Sequence, residues 1–594
     1  MKPYILKRHL NRVPVFYEID SPEIPKALFE AECVKPDLTD FPLPLPSKKK
    51  DYTCFVKTDD GAEWYGATTG LTRYDANAER IEDKVMYFAA DRHLNDNNVQ
   101  KLLADGNSVW VKTETGVVHM TFVEYSTDEK ANVLLQESLD IVDRRGMISQ
   151  RYLEKARDLS TKYYDNECDN DGGFTAAYAV GEIFHYATLV REKGADDPET
   201  LRIKDVATRA TEACLLLFYV PGRGDGFFAR TYMCADERLP DDGLFFTRKG
   251  DTATLRDSGY ARHLNASGAE CYCGAPIPER LKHLYTDSGY TEDDLIYKAD
   301  TSSDEVTLQY LLMRYAHEIL GPVDPELDEI IKETIKNTTY HFIDHGYQMC
   351  DFHGGPTAWA KWNLDYFNSE MGWSDGALNA AEMMFYLKAA DLVLGGDEKI
   401  KKALEDVYSL GYPELATKHH ERFYKASMAN DYDLREDMMY GDHMLAVVSF
   451  WQLCDLEKED EYLEKWKKGF RSWRTTIAKE HSPCYDYAYT LATGDEIDME
   501  RAANYFYRCP PSRLASGVTI NRKDYPMQYR FSGKTKELSS LLPADERFIA
   551  KYDRNPMAYC AEDSGGMYCV ESCFVYTFAY WTGRYFGLIK GEEE

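Results

Sequence analysis

Three loops concentrate carboxylates, amides, histidines and aromatic rings. The first, residues 167–174 (ECDNDGGF), sets Asp169 and Asp171 ahead of a strongly apolar stretch. Its Asp and Gly spacing suggests a calcium loop. With Gly172 at the sixth position, however, the twelfth is Tyr178, where a bidentate Glu is needed. Asp171 is read either as a helix cap or as a catalytic carboxylate. The second loop, residues 297–305 (YKADTSSDE), offers Asp300, Asp304 and Glu305. Ser302 or Ser303 with Glu305 partly forms a capping box. The other reading turns one of these acids toward a cavity, where burial or a like-charged neighbour raises a carboxyl pKa. A raised acid beside an ionised base is the pair that glycosidic cleavage uses.

The third loop, residues 344–363, is the densest and holds Asp351, His353, Trp359 and Trp362. Flat rings stack on pyranose faces, and carboxylates and amides grip hydroxyls. His341 and His345 lie four apart, as a zinc pair would, but Phe342 stands where HExxH has Glu. Hydrogen-bonded structural histidines are expected there, and neither a metal nor another cofactor is expected. Arg230, in GFFART, is a carboxylate clamp by its bidentate fork. Tyr440, Asp442 and His443 open another helical stretch as candidate site residues, with Asp442 a candidate catalytic base. No GxSxG, P-loop or strand–helix GxGxxG occurs, which sets aside serine hydrolase, kinase and dehydrogenase chemistry.

The elements that must position these residues are mostly helical. From about Val133, apolar residues recur at i, i+3, i+4 and i+7 over eleven stretches: 149–164, 175–192, 199–219, 303–320, 324–344, 377–394, 398–410, 443–456, 459–480, 499–507 and 571–589. With one or two more, about a dozen antiparallel helices suit an (α/α)6 toroid of six hairpins, a mainly α fold. Its inner helices start at one rim, so functional residues are expected at helix N-termini. Residues 1–130 read instead as a smaller β-rich domain, with the toroid over 131–594. Two segments there repeat like propeller blades, Trp64 and Trp110 standing 46 apart, as do Gly70 and Gly116. Two copies are too few to close a propeller, so an open sheet packed on its neighbour is expected.

The chain has 594 residues and a net charge of −31, with 44 Tyr as its compositional outlier. Such a field repels nucleic acid and anionic membrane surfaces. No stretch approaches the roughly 20 apolar residues of a membrane span. Residues 1–18 lack the continuous apolar core of a secretion signal, and the 14 Cys form no CxxC, so a cytoplasmic location with reduced thiols is expected. A homo-oligomer is compatible with the sequence.

The helical part resembles the six-hairpin glycosidase superfamily, which includes unsaturated glucuronyl hydrolases and β-glucuronidases. More narrowly it resembles a bacterial group in which propeller-type repeats accompany the toroid. The matching stretches are DNDGGFTAAYAVGE (169–182), GFFART (226–231), KADTSSDE (298–305), DFHGGPTAWAKW (351–362) and YWTGRYFGLI (580–589). The chain departs from the pattern at residues 439–443, which keep one acid where related chains carry an acidic run. The resemblance implies hydrolysis of a uronic-acid-containing oligosaccharide. Asp304 or Asp171 would be the general acid and the other would activate water; Arg230, His353, Trp359 and Trp362 would hold the sugar. A lyase using a Tyr or His base is the alternative, and a non-catalytic sugar sensor a third.

Overall fold

The computed structural model describes residues 2–163, 170–239, 243–256, 268–418, 440–514, 517–518, 520, 522–529, 536–548, 554–559 and 566–592. Helices make up about 46% of it, and the strands fall into several small separate sheets. Twelve of the described helices have ten or more residues: α1 (Thr127–Glu137), α2 (Asp171–Lys193), α3 (Pro198–Tyr219), α4 (Ser303–Tyr315), α5 (Pro325–Asp344), α6 (Gly376–Leu394), α7 (Glu398–Ser409), α8 (Tyr440–Leu456), α9 (Asp460–Ile477), α10 (Pro483–Thr493), α11 (Met499–Arg508) and α12 (Phe574–Tyr585).

The helices divide by burial pattern. In α2, α4, α6, α8, α10 and α12 nearly every position is buried, as sequences apolar on all sides demand. In α9 only the stripe Trp466, Gly469, Phe470, Trp473 and Ile477 is buried, so one side faces water. Among the buried helices, α2 packs on α4, α4 on α6, α6 on α8, α8 on α10, α10 on α12, and α12 on α2. The others lie against them: α3 on α2, α5 on α6, α7 on α6, α9 on α8, α11 on α10 and α1 on α12. Gly181 permits a close approach of α2 to α12, since a Cβ there would lie 3.0 Å from the Phe578 Cα.

The residues before α1 form two antiparallel four-stranded sheets. One runs Tyr52–Lys57, Glu63–Ala67, Gly70–Tyr74 and Val85–Phe88 in order. The other runs Lys101–Asp105, Ser108–Lys112, Val117–Tyr125 and is completed by His9–Tyr17. Trp64 and Trp110 occupy the second strand of their respective sheets, which is the structural basis of the 46-residue echo. Trp64, Phe88, Val109 and Val118 belong to one apolar core shared by both sheets.

One helical expectation fails. Within residues 149–164 the chain forms the strands Gln150–Leu153 and Lys162–Tyr163. Gln150–Leu153 pairs with Cys569–Glu571, more than 400 residues away, and that tertiary pairing overrides a weak local helical pattern. Two helices escaped notice, although their signals are local: α1 has the full Ser126/Glu129 capping box, and α10 has Pro483 at its start and Gly494 at its end. Among the described residues no helix is long and apolar enough to cross a membrane, and every cysteine is a free thiol.

Candidate active site

The strand Leu295–Lys298 carries the chain to the start of α4. Asp300 sits there in the left-handed region at φ 59°, a conformation that costs a non-glycine residue energy and recurs at functional sites. Ser302 then caps α4. Its side chain accepts from the Asp304 N–H, and the Glu305 carboxylate accepts from the Ser302 N–H at 3.0 Å. Glu305 is fully buried and is also paired with Arg230 Nη2 at 3.2 Å; Arg230 reaches Asn170 Oδ1 at 3.0 Å as well. These two residues brace the loop and do not line the cavity beside it.

That cavity has a volume of about 270 Å³ and is lined by Asp300, His353, Trp359, Lys361, Tyr366 and Met371 among others. The hairpin of Gln348–Cys350 with Pro356–Lys361 delivers most of them. Asp300 pins the hairpin: its Oδ1 accepts the Ala358 N–H at 2.7 Å, and its own N–H donates to Asp351 Oδ2 at 3.0 Å. Burial first, and then the neighbouring Asp300 carboxylate, push the Asp351 carboxyl up to about 6. His353 Nδ1 accepts from the Gly355 N–H at 2.9 Å, which in a neutral ring leaves its proton on Nε2. Trp359 is 48% exposed and presents a ring at the mouth.

Behind Tyr366 lies a cluster of four carboxyls drawn from three helix starts. Tyr366 lines the cavity, and its hydroxyl donates to Asp375 Oδ2 at 2.6 Å, immediately before α6. Two turns into α6, the fully buried Glu382 accepts from Trp362 Nε1 at 2.8 Å and from Thr307 Oγ1 at 3.1 Å. Burial drives the Glu382 carboxyl up to about 8, with Asp304 and Asp375 adding to it. Asp442, half-buried in the first turn of α8, is raised well above the ordinary carboxylate range by burial, then by Asp375, Asp304 and Glu382. Asp375 is raised too, chiefly by burial. Four carboxyls in mutual electrostatic reach oppose one another's ionisation, which adds to burial in raising Glu382 and Asp442.

The remaining candidates are spread around this centre. Asp171 is fully buried in an ion pair with Arg144 Nη2 at 2.9 Å and also accepts from Thr231 Oγ1, surroundings that favour an anchor for α2 over a proton carrier. Trp362 is fully buried, so it holds Glu382 and has no open face for a sugar. The Tyr440 hydroxyl donates to Asn555 Oδ1 at 3.1 Å. His443 Nε2 bonds with Thr476 Oγ1 at 2.7 Å and its ring packs edge-on against Trp473, facing α9. Asp169 lies outside the described residues. Asp375, Glu382, Lys361 and Tyr366 were not singled out from the sequence. The missed signal was a pair of acids seven apart, Asp375 and Glu382, placing two carboxyls on one face of an otherwise apolar helix.

His341, His345 and Cys350 bring three possible metal-ligand atoms within 4.8 Å of one another. Both His341 nitrogens are nonetheless engaged by backbone: Nδ1 donates to the Asp225 carbonyl at 2.8 Å, and Nε2 accepts from the Cys350 N–H at 2.9 Å. Burial lowers this imidazole to about 4. It acts as a neutral brace between α5 and two loops. No family model matches the chain, and no curated protein matches it.

Proposed function

We propose that the protein is a glycoside hydrolase acting on a uronic-acid-containing oligosaccharide, built on an (α/α)6 toroid in which the inner helices α4, α6 and α8 supply the acid cluster. The toroid reading is supported by the cyclic packing of α2, α4, α6, α8, α10 and α12, with the other six long helices lying against members of that ring. One arrangement carries the chemical reading: Asp442 stands beside Asp375, Asp304 and Glu382, and burial and then these carboxyls raise its pKa, which favours its protonated form. Protonated Asp442 gives its proton to the glycosidic oxygen as the C–O bond breaks. The Asp304 carboxylate, favoured by the positive end of α4, takes a proton from the water whose oxygen bonds to the anomeric carbon. One water is added across the cut. Trp359 stacks on the sugar, Asp300 and His353 bind hydroxyls, and Lys361 takes the clamp role first given to Arg230. Fully buried Glu382 is a positioning residue that raises Asp442.

The lyase alternative has less support. Tyr366 is the tyrosine lining the cavity, and burial together with Asp375 raises its hydroxyl far above the ordinary value. It donates to Asp375 and is unsuited to take a proton. The test is a panel of uronate-containing oligosaccharides with product masses recorded. Gain of one water supports hydrolysis, and conserved mass with new unsaturation supports the lyase. Asp442→Asn and Asp304→Asn should each lower turnover by about 10²–10⁴-fold with helical content unchanged. Full turnover in both defeats the assignment.

A further inference from the structure

A second cavity, about 190 Å³, lies where the strand His9–Tyr17 meets the end of α11 and residues 509–514. Four guanidinium groups line it, Arg12, Arg92, Arg157 and Arg508, against two carboxylates, Asp91 and Asp545. Asp545 is already committed, since its oxygens pair with Arg12 Nε at 2.8 Å and Arg508 Nη2 at 2.9 Å. Arg12 and Arg508 also share the fully buried Glu546, and Arg508 pairs with Asp83 as well. Of the lining carboxylates, only Asp91 is left to set against Arg92 and Arg157. The field left over is positive.

Arg157 is the cation that an occupant can reach, because its side chain is partly exposed. Its Nη1 donates to Asn95 Oδ1 at 3.1 Å, and its Nη2 to the Asp91 and Leu94 carbonyls at 2.7 and 3.0 Å. All three acceptors are neutral, and among the described residues the Nε–H has none. The Phe16 ring, with its centroid 3.7 Å from the guanidinium carbon, fixes the plane of the group. Its backbone is held in the left-handed region at φ 61°, and its N–H donates to the Met567 carbonyl at 2.9 Å. Burial lowers this guanidinium to about 10, and the pull of Asp91 does not restore it. A cation drawn out of water onto neutral acceptors is stabilised by an anion brought beside it. Val13, Pro14, Phe16, Pro510 and Pro511 make the rest of the lining apolar. The volume falls below the roughly 300–1,000 Å³ of drug-sized ligand sites, so it suits a body of one ring.

We propose that this cavity is a second ligand site, for a small monocarboxylic acid with an apolar body. The carboxylate accepts from Arg157, and the apolar body lies against the proline and valine lining. The cavity shares no lining residue with the one at Asp300, so the site is independent of the hydrolase reading. The full-length protein is titrated calorimetrically with benzoate at constant ionic strength, and with benzamide as the neutral probe of the same shape. Saturable benzoate binding is expected, at least tenfold tighter than that of benzamide and at least tenfold weaker in Arg157→Gln. Leu10 lines the cavity and is 50% exposed, so Leu10→Glu adds a repelling charge at the rim without disturbing the core. Several-fold weaker benzoate binding is expected in that variant, and it alone decides should Arg157→Gln fail to fold. Absence of saturable benzoate binding, equal binding of benzamide, or full affinity in either folded variant overturns the proposal.

Discussion

Asp442 and Glu382 illustrate what one carboxyl becomes when its surroundings change. Both are ordinary acids in sequence, and both are pushed up by burial before any neighbour acts. If protonated Asp442 is the acid, activity falls as pH rises through its raised pKa, so the alkaline limb lies well above the normal carboxylate range. Asp375→Asn removes a like-charged neighbour and should move that limb to lower pH, by only part of the shift because burial remains; a kcat/KM–pH profile reads this. Glu382 also predicts a stability effect. Its folded pKa, about 8, exceeds the unfolded value, so the folded state binds more protons between the two. Stability therefore declines with rising pH from the ordinary Glu range to about 8. In Glu382→Gln that decline, on the order of a few kcal/mol, should be reduced in urea titrations at pH 5 and pH 8.

At the scale of elements, the site depends on how loops are delivered to helix starts. Asp171 at the start of α2 is held by Arg144, which also donates to the Tyr232 carbonyl on the strand Thr231–Cys234. Arg144→Ala would strand a fully buried carboxylate and should cost about 3–5 kcal/mol in denaturant unfolding. Gly226 opens the segment leading to Arg230, with φ 87° and an added Cβ lying 2.2 Å from the Asn337 carbonyl oxygen. Gly226→Ala combines left-handed strain with that clash and should cost more than about 2 kcal/mol by the same measurement. Should it prove neutral, the tight seat of this turn on α5 is not needed.

Across the whole molecule, the N-terminal sheets are tied to the helices by buried charge. Glu546 is fully buried and accepts from Arg12 at 2.7 Å, from Arg508 at 2.8 Å and from the Tyr87 N–H at 3.0 Å. Arg12 and Tyr87 belong to different sheets, and Arg508 ends α11. The strand Tyr4–Leu6 pairs in parallel with Ile589–Gly591, bringing the two ends of the described chain together. Glu546→Ala should lower stability by about 3–5 kcal/mol, seen as an earlier midpoint in thermal unfolding. An unchanged midpoint would mean that this network does not join the two parts.

By itself the sequence determined what depends on near neighbours. The 3.6-residue periodicity placed most long helices, the 46-residue echo located equivalent strands of two sheets, and the loop compositions pointed to Asp300, Asp304, Asp351, His353 and Trp359. Only the tertiary structure decided which acids share an electrostatic field. Asp304, Asp375, Glu382 and Asp442 come from three helices up to 138 positions apart, and burial, a property of the packed chain, sets their protonation. The same packing gave Asp171 to Arg144 and Trp362 to Glu382, pairings made across the fold that no local pattern encodes.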